Sequence, residues 1–313
     1  MLSTRFIFIS FLNLFLLSCK KDSAISEPVY QPKKVIVFVI DGPRYSETWG
    51  DSTHQYIPYY TSLSQKGCVF TNFTNEGMTN TVNGHIAVCT GVYDTLVNNG
   101  TELPRYPSFM QYWIKQTDAP QTKAWVITTK DKLEVLANCT ESGFQDNYKP
   151  STNCGIAGLG SGYSEDSTTI KRAISILQTH RPNLVVINLK QPDAYGHAGV
   201  WSDYIQGIKD SDRYLWQFWN YLQSDTAYKN KTDIFITNDH GRHLDNVNDG
   251  FISHGDNCMG CKHINLLAIG PDIKEKQTIT QAYSQIDIAA TIAQILKIQM
   301  PYSKGKVIKE MLK

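Results

Sequence analysis

Val35-Ile36-Val37-Phe38-Val39-Ile40 runs without a break into Asp41-Gly42. An unbroken apolar, largely β-branched run closed by a turn pair reads as a strand buried on both faces, with its carboxyl end at Asp41. The pattern recurs. Leu184–Leu189 is followed by Asp193 and His197, and Ile234–Ile236 runs through Thr237-Asn238 into Asp239-His240-Gly241. His254-Gly255 then precedes the last run, Ile264–Ile269. Open α/β sheets gather ligands at the carboxyl ends of their parallel strands. Asp and His delivered there by separate strands suit an oxygen- and nitrogen-ligated metal centre.

Helical stripes separate these runs. A helix is expected from about Tyr59 to Gln65, then a short apolar segment at Cys68–Phe70 and a strand at Ala124–Thr128. Thr168–His180 places Ile170, Ala173, Ile174 and Leu177 on one helical face. Asp203–Leu222 does the same with Ile205, Ile208, Leu215, Phe218, Trp219 and Leu222, and Tyr283–Leu296 reads as a closing amphipathic helix. Strands alternating with helices predict an α/β three-layer sandwich, a mostly parallel sheet covered on both faces. Pro150–Ser164 is rich in Gly and Ser and reads as a loop, part of an expected loop or lid region at about 131–165.

The amino-terminal residues read as a leader. Arg5, the apolar Phe6–Leu17 and the close Leu16-Leu17-Ser18-Cys19 form a secretory signal ending in a lipobox-like sequence. Residues 1–18 would be removed, Cys19 lipidated to anchor the chain to a membrane, and residues 19–32 left as a polar tether. The plainer alternative, a membrane-spanning helix, is disfavoured by the shortness of the apolar stretch. The expectation is an exported lipoprotein, with residues 33–313 as its catalytic domain. A formal net charge of +1 gives no reason to expect a nucleic-acid surface. Six cysteines remain beyond Cys19, and an exported protein is free to pair them. Cys139/Cys154 and Cys258/Cys261 are the sequence-local pairs.

Each candidate ligand taken alone has an ordinary reading. Asp41-Gly42 is a turn, Asp193 and His197 are a pair four apart, and His254 is a surface histidine. The segment from Gly77 to Gly91 carries the nucleophile candidates, Thr79 and Thr81, on a polar loop entering a helix. Such a helix start attracts phosphate or sulfate, and a metal-ligated threonine becomes a usable alkoxide. Both threonines are also ordinary helix caps.

Together these residues resemble the alkaline phosphatase superfamily, in its type I phosphodiesterase/nucleotide pyrophosphatase-like branch with a threonine nucleophile. The resemblance runs from about Lys33 to the carboxyl terminus. It rests on Asp41-Gly42; on Thr81, Gly84, His85, Thr90 and Gly91; on Asp193, Gly196 and His197; on Thr237, Asp239, His240 and Gly241; on His254-Gly255; and on Gln285–Ile292. It implies two Zn2+ ions about 4 Å apart, one on Asp193, His197 and His254, the other on Asp41, Thr81, Asp239 and His240. Thr81 would attack phosphorus, and water would hydrolyse the resulting phospho-threonine. Asn98, or the neighbouring Asn99, stands for a phosphate-contacting asparagine. Lys130-Asp131-Lys132 is similar to a Lys-Asp-Arg motif of monoesterases in the family, so both lysines are expected on the substrate phosphate, Lys132 without arginine's fork.

The function expected is therefore zinc-dependent hydrolysis of a small phosphate ester. Sulfate-ester or phosphonate hydrolysis on the same fold is the alternative, as is a non-catalytic surface lipoprotein. Cys89-Thr90-Gly91-Val92-Tyr93 lacks the proline and arginine of a type I sulfatase signature. His254, Cys258, Cys261 and His263 have the spacing of a compact zinc knuckle. With His254 serving the catalytic metal, a Cys258–Cys261 disulfide or two free thiols is expected instead, with His263 structural.

Overall fold

The strand Lys34–Asp41 (β1) alternates its side chains between two cores. Val35, Val37 and Val39 enter one apolar cluster, and Ile36 and Phe38 the other. A strand with no polar face must be covered on both sides, and the rest of the chain supplies the covers. The computed structural model describes residues Lys33–Lys313, which form one compact unit. The expected leader, Cys19 and the tether at residues 1–32 lie outside the described residues.

After β1 come Pro58–Ser64 (α1), Gly67–Thr74 (β2), Thr81–Thr90 (α2), Phe109–Thr117 (α3), Ala124–Thr128 (β3) and Ser151–Cys154 (β4). Asp166–His180 (α4), Leu184–Pro192 (β5), Asp193–His197 (α5), Trp201–Ser224 (α6) and Thr232–Asn238 (β6) follow. The chain closes with Met259–Lys262 (α7), His263–Ile269 (β7), Gln277–Ile279 (β8), Tyr283–Ser284 (β9) and Ile286–Leu296 (α8). Among the described residues nine strands form one sheet in the order β4-β3-β5-β1-β6-β7-β2-β8, with β9 also pairing β2. β7 runs antiparallel to both β6 and β2, while the other neighbours are parallel.

Helices α2, α3 and α8 bury their apolar sides in one cluster, and α1, α4 and α6 bury theirs in the other. The expected three-layer α/β sandwich is thus present. Among the described residues no helix is long and apolar enough to cross a membrane.

Three expectations need correction. Ser151–Cys154 is a parallel edge strand inside the segment read as loop. Its sequence, Ser-Thr-Asn-Cys, lacks an apolar run because an edge strand needs little burial. The closing helix starts at Ile286, because Tyr283 and Ser284 pair with Phe73 and Thr74 of β2. The described cysteines are free, so the expected Cys139/Cys154 pair is not formed, and Cys258 and Cys261 are the two free thiols of the second expectation. Cys154 instead turns its thiol toward the Val126 carbonyl, and the Cys258 sulfur accepts from the Cys261 amide.

Candidate metal centre

The sheet order brings β5, β1 and β6 side by side, so Asp193, Asp41 and Asp239 emerge at one edge from three adjacent strand ends. All three are buried. Their imidazole partners arrive by different routes. His197 follows Asp193 by one turn of α5, His240 follows Asp239, and His254 comes from the connection before β7.

The residues gather into two groups, Asp41 with Asp239 and His240, and Asp193 with His197 and His254. In the first, His240 Nε2 lies 3.5 Å from Asp41 Oδ1 and 3.4 Å from Asp239 Oδ2. In the second, His197 Nε2 and His254 Nε2 are 3.1 Å apart, and each lies 3.3 Å from Asp193 Oδ1. Donors spaced in this way suit one ion about 2.0 Å from each. The groups adjoin, for the His240 and His254 rings stack at a 3.7 Å centroid distance.

Two observations test whether a divalent ion fits. Asp41 Oδ1, Asp239 Oδ2 and His240 Nε2 are fully buried and make no hydrogen bond. Buried polar atoms are normally satisfied, so three orphans pointing at one another mark a place for a cation. The tautomers of His240 and His254 also agree. His240 Nδ1 donates to the Gly241 carbonyl and His254 Nδ1 to the Thr79 carbonyl, both at 2.8 Å, which leaves each Nε2 lone pair facing its group.

The electrostatics follow from burying three carboxylates together. Burial and the neighbouring Asp239 push the Asp41 carboxyl well above the usual range. Burial acts on Asp193 the same way, but Lys130, His197, His254 and Arg242 outweigh it and hold that carboxyl well below the usual range. Asp239 is likewise held low, against burial, by His240, His85 and Lys130. Burial drives the His240 imidazole down to about 3, so it is neutral and free to ligate. Lys130 keeps its proton despite burial, because Asp193, Asp41 and Asp239 surround it.

Thr81 is the first residue of α2, whose cap is Asn80, with its side chain accepting from the Asn83 amide. Two amides of this helix start are already engaged, the Asn83 amide by Asn80 and the Val82 amide by Asn98 Oδ1 at 2.9 Å, so an anion would meet fewer of them than a bare helix start offers. The two threonines differ. Thr79 donates its hydroxyl to the Asp256 carbonyl at 2.7 Å, whereas Thr81 Oγ1 accepts from Lys130 Nζ at 3.1 Å. Helix α2 approaches the strand end so closely that a Cβ on Gly84 would stand 2.4 Å from the Asp239 carbonyl oxygen.

The two lysines occupy different places. Lys130 is buried, with Nζ 2.9 Å from Asp41 Oδ2 and 2.6 Å from Asp193 Oδ2, between the two groups. Lys132 reaches the α2 end of the site, where Nζ lies 3.1 Å from Asn98 Oδ1. Burial and the Lys130 charge lower its pKa. Asn99 is exposed and spends its side chain on Thr101, so Asn98 is the asparagine beside the site.

Several supporting residues escaped the sequence reading. Arg242 is buried, bonds Asp193, and donates to the carbonyls of Phe251 and Ile252. Its signal was an arginine directly after Asp239-His240-Gly241. Asn188 donates to Asp41 Oδ2 at 3.2 Å, and its signal was an amide inside an apolar strand. Asn75 and Gln285 both donate to the Asp239 carbonyl, at 2.8 and 2.6 Å. Gln285 opens the Gln285–Ile292 stretch of the resemblance, whereas nothing local in the sequence announces Asn75.

A Metalloenzyme superfamily model matches residues 33–300. Among solved structures, a protein of the alkaline phosphatase superfamily from Vibrio parahaemolyticus superposes with a TM-score of 0.66 at 16% identity, over 90% of this chain and 71% of that one. Murine ectonucleotide pyrophosphatase/phosphodiesterase 5 gives 0.63 at 16% identity, over 90% of this chain and all of that one. A phosphonate monoester hydrolase from Silicibacter pomeroyi gives 0.63 at 13% identity, over 90% and 76%.

If the orphaned donors bind a divalent ion, zinc in excess should raise the melting temperature of the metal-stripped protein. A free concentration a thousandfold above Kd corresponds to about 4 kcal/mol. Asp239→Asn should lose most of that rise in a thermal melt, and an unchanged zinc response in this variant would remove Asp239 from the ligand set. With the family model matched across nearly the whole described chain, the chain belongs to the Metalloenzyme superfamily and has the alkaline-phosphatase-like fold.

Proposed function

We propose that this protein hydrolyses phosphate esters with Thr81 as nucleophile, at a site holding two zinc ions. The observation that carries the reading is the placement of the Thr81 hydroxyl on Lys130, the ammonium that also spans Asp41 and Asp193. Asp41, Asp239 and His240, with Thr81, would hold one ion, and Asp193, His197 and His254 the other. When bound, the ions would supply charge neutralisation and Lewis-acid activation at the reacting oxygens.

The chain's own residues do the rest. Thr81 Oγ1 attacks phosphorus, the ester oxygen leaves, and water then cleaves the phospho-threonine to restore the hydroxyl. Lys130 holds the Thr81 oxygen in place and lowers the repulsion between the flanking carboxylates. Asn98, with Oδ1 engaged by Val82 and Lys132, would offer its amide nitrogen to the phosphoryl oxygens. Lys132 supplies a positive charge at the same end. The sequence expectation put both lysines on the substrate; the geometry supports that role for Lys132 and gives Lys130 to the carboxylates and the threonine.

A purified, zinc-loaded sample assayed in parallel on aryl phosphate monoester, phosphodiester, phosphonate and sulfate tests the class. Phosphate-ester turnover should lead. Sulfate or phosphonate turnover in its place would move the protein to the alternative reading, and no turnover on any of the four would favour a binding role. Thr81→Ala should lower kcat by about a thousandfold, ~4 kcal/mol of barrier, with the fold intact by circular dichroism. Thr79→Ala should cost far less, and the reverse ranking would sink the assignment.

Lys132→Ala should reduce monoester turnover more than diester turnover, by about tenfold, because the dianion carries one more charge to stabilise. Equal losses on both substrates would make Lys132 a general structural cation. Lipid attachment at Cys19, and with it placement on the periplasmic or cell-surface face of a bacterial membrane, rests on the leader sequence. Cells fed a labelled fatty acid should label the protein, and Cys19→Ala should abolish the label; a labelled variant would refute the anchor.

A further inference from the structure

The knuckle-like spacing around Cys258 and Cys261 is not absorbed by the site above. Its two histidines are engaged elsewhere. His254 faces Asp193 and His197, and His263 binds the Thr71 carbonyl at 2.9 Å with its ring stacked on Tyr45. The fold brings two other donors in their place. Ligand atoms of His243, Asp256, Cys258 and Cys261 all lie within 4.8 Å of one another. Two thiolates each about 2.3 Å from one tetrahedral zinc stand about 3.8 Å apart, so four donors within 4.8 Å of one another need to close in by only about 1 Å at most to hold a single ion.

The surroundings are organised around this group. His243 Nδ1 lies 3.1 Å from Asp249 Oδ1 and 3.2 Å from Ser253 Oγ, which fixes the ring and leaves Nε2 facing Asp256 Oδ2 at 3.1 Å. A carboxylate on the far nitrogen is the usual support of a metal-ligating histidine. Backbone amides already point at the donors: Cys258 N at Asp256 Oδ1, 2.8 Å, and Cys261 N at Cys258 Sγ, 3.3 Å. Asn248 Nδ2, 3.0 Å from Asp256 Oδ2 and 3.3 Å from His243 Nε2, is the group an ion would displace.

We propose that His243, Asp256, Cys258 and Cys261 bind a structural, thiophilic divalent ion of the zinc type, at a site separate from the candidate metal centre. Four protein donors leave no open position, as in closed structural sites. Both thiols give up their protons to solvent as the ion binds. The ion would tie together the connection from β6 to β7, which carries Arg242 and His254. Through the Asp256 carbonyl, which accepts from Thr79, it would also brace the segment leading into α2. The inference does not depend on the reaction proposed above.

Cobalt(II) is a direct probe, because thiolate ligation gives a sulfur-to-cobalt charge-transfer band in the near ultraviolet. The full mature protein, purified anaerobically, stripped and reloaded with cobalt, should show this band. Its Cys258 and Cys261 should resist alkylation until a chelator is added. The double variant Cys258→Ser/Cys261→Ser should lose the band and bind one fewer ion per chain, whereas Asp239→Asn, on the other group, should keep the band. If the double variant fails to fold, His243→Gln retains both sulfurs and should weaken cobalt binding at this band at least tenfold. Absence of the band in the reduced protein, or an unchanged titration in His243→Gln, overturns the proposal. So does a native mass two hydrogens light with Cys258 and Cys261 linked as a disulfide.

Discussion

Three buried carboxylates at neighbouring strand ends are the constraint that the rest of this structure answers. Asp193, Asp41 and Asp239 leave β5, β1 and β6 in that spatial order, and none reaches bulk water. Burying one unpaired carboxylate is already costly, and like charges beside it add to the cost. The fold responds with cations carried on separate elements. Lys130 enters from the end of β3, next to β5, and bonds the two nearest carboxylates. Arg242 enters from beyond β6 and bonds Asp193 from the other side. Even so, Asp41 remains pushed toward its protonated form, and three ligand atoms stay without partners. The protein's own cations do not complete the balance, which is the condition under which a divalent ion is retained.

The same constraint sets the approach of α2. Helix α2 comes within contact distance of the Asp239 backbone, and Gly84 makes that approach sterically possible. Asn75 and Gln285 then fix the Asp239 carbonyl from two further elements. His85, on the same helix, donates to the Thr81 carbonyl at 2.8 Å and lies 3.4 Å from Asp239 Oδ2. Helix start and strand end are therefore positioned by each other.

Much of this was legible in the sequence, and the reasons are physical. A doubly buried parallel strand has to be apolar throughout, so Val35–Ile40, Leu184–Leu189 and Ile234–Ile236 announced both the sheet and the edge at which their acids emerge. The helices α4 and α6 were legible because each hides one stripe from water. The edge strand β4 was not, since pairing on one side of the sheet asks for little apolar surface. The start of α8 was misplaced for a related reason: Tyr283 and Ser284 are held by backbone pairing to β2, which leaves no side-chain period to read. At the site, residues spaced within one motif were visible. Those that act across the chain, such as Asn75 and His243, depend on tertiary contacts that no local spacing records.

The two threonines beside the site differ in their hydrogen bonds. Both stand at the entrance to α2, and both are residue types that cap helices. Neither is the cap, because Asn80 fills that position and frees the two hydroxyls for other partners. Thr79 donates to the Asp256 carbonyl, which consumes its only proton in holding two loops together. Thr81 accepts a hydrogen bond from an ammonium instead, so its oxygen is approached by positive charge and its proton is uncommitted. An alkoxide needs stabilising charge at oxygen and a proton that is free to pass to a base. Of the two hydroxyls, the hydrogen-bonding pattern leaves Thr81 alone in that state.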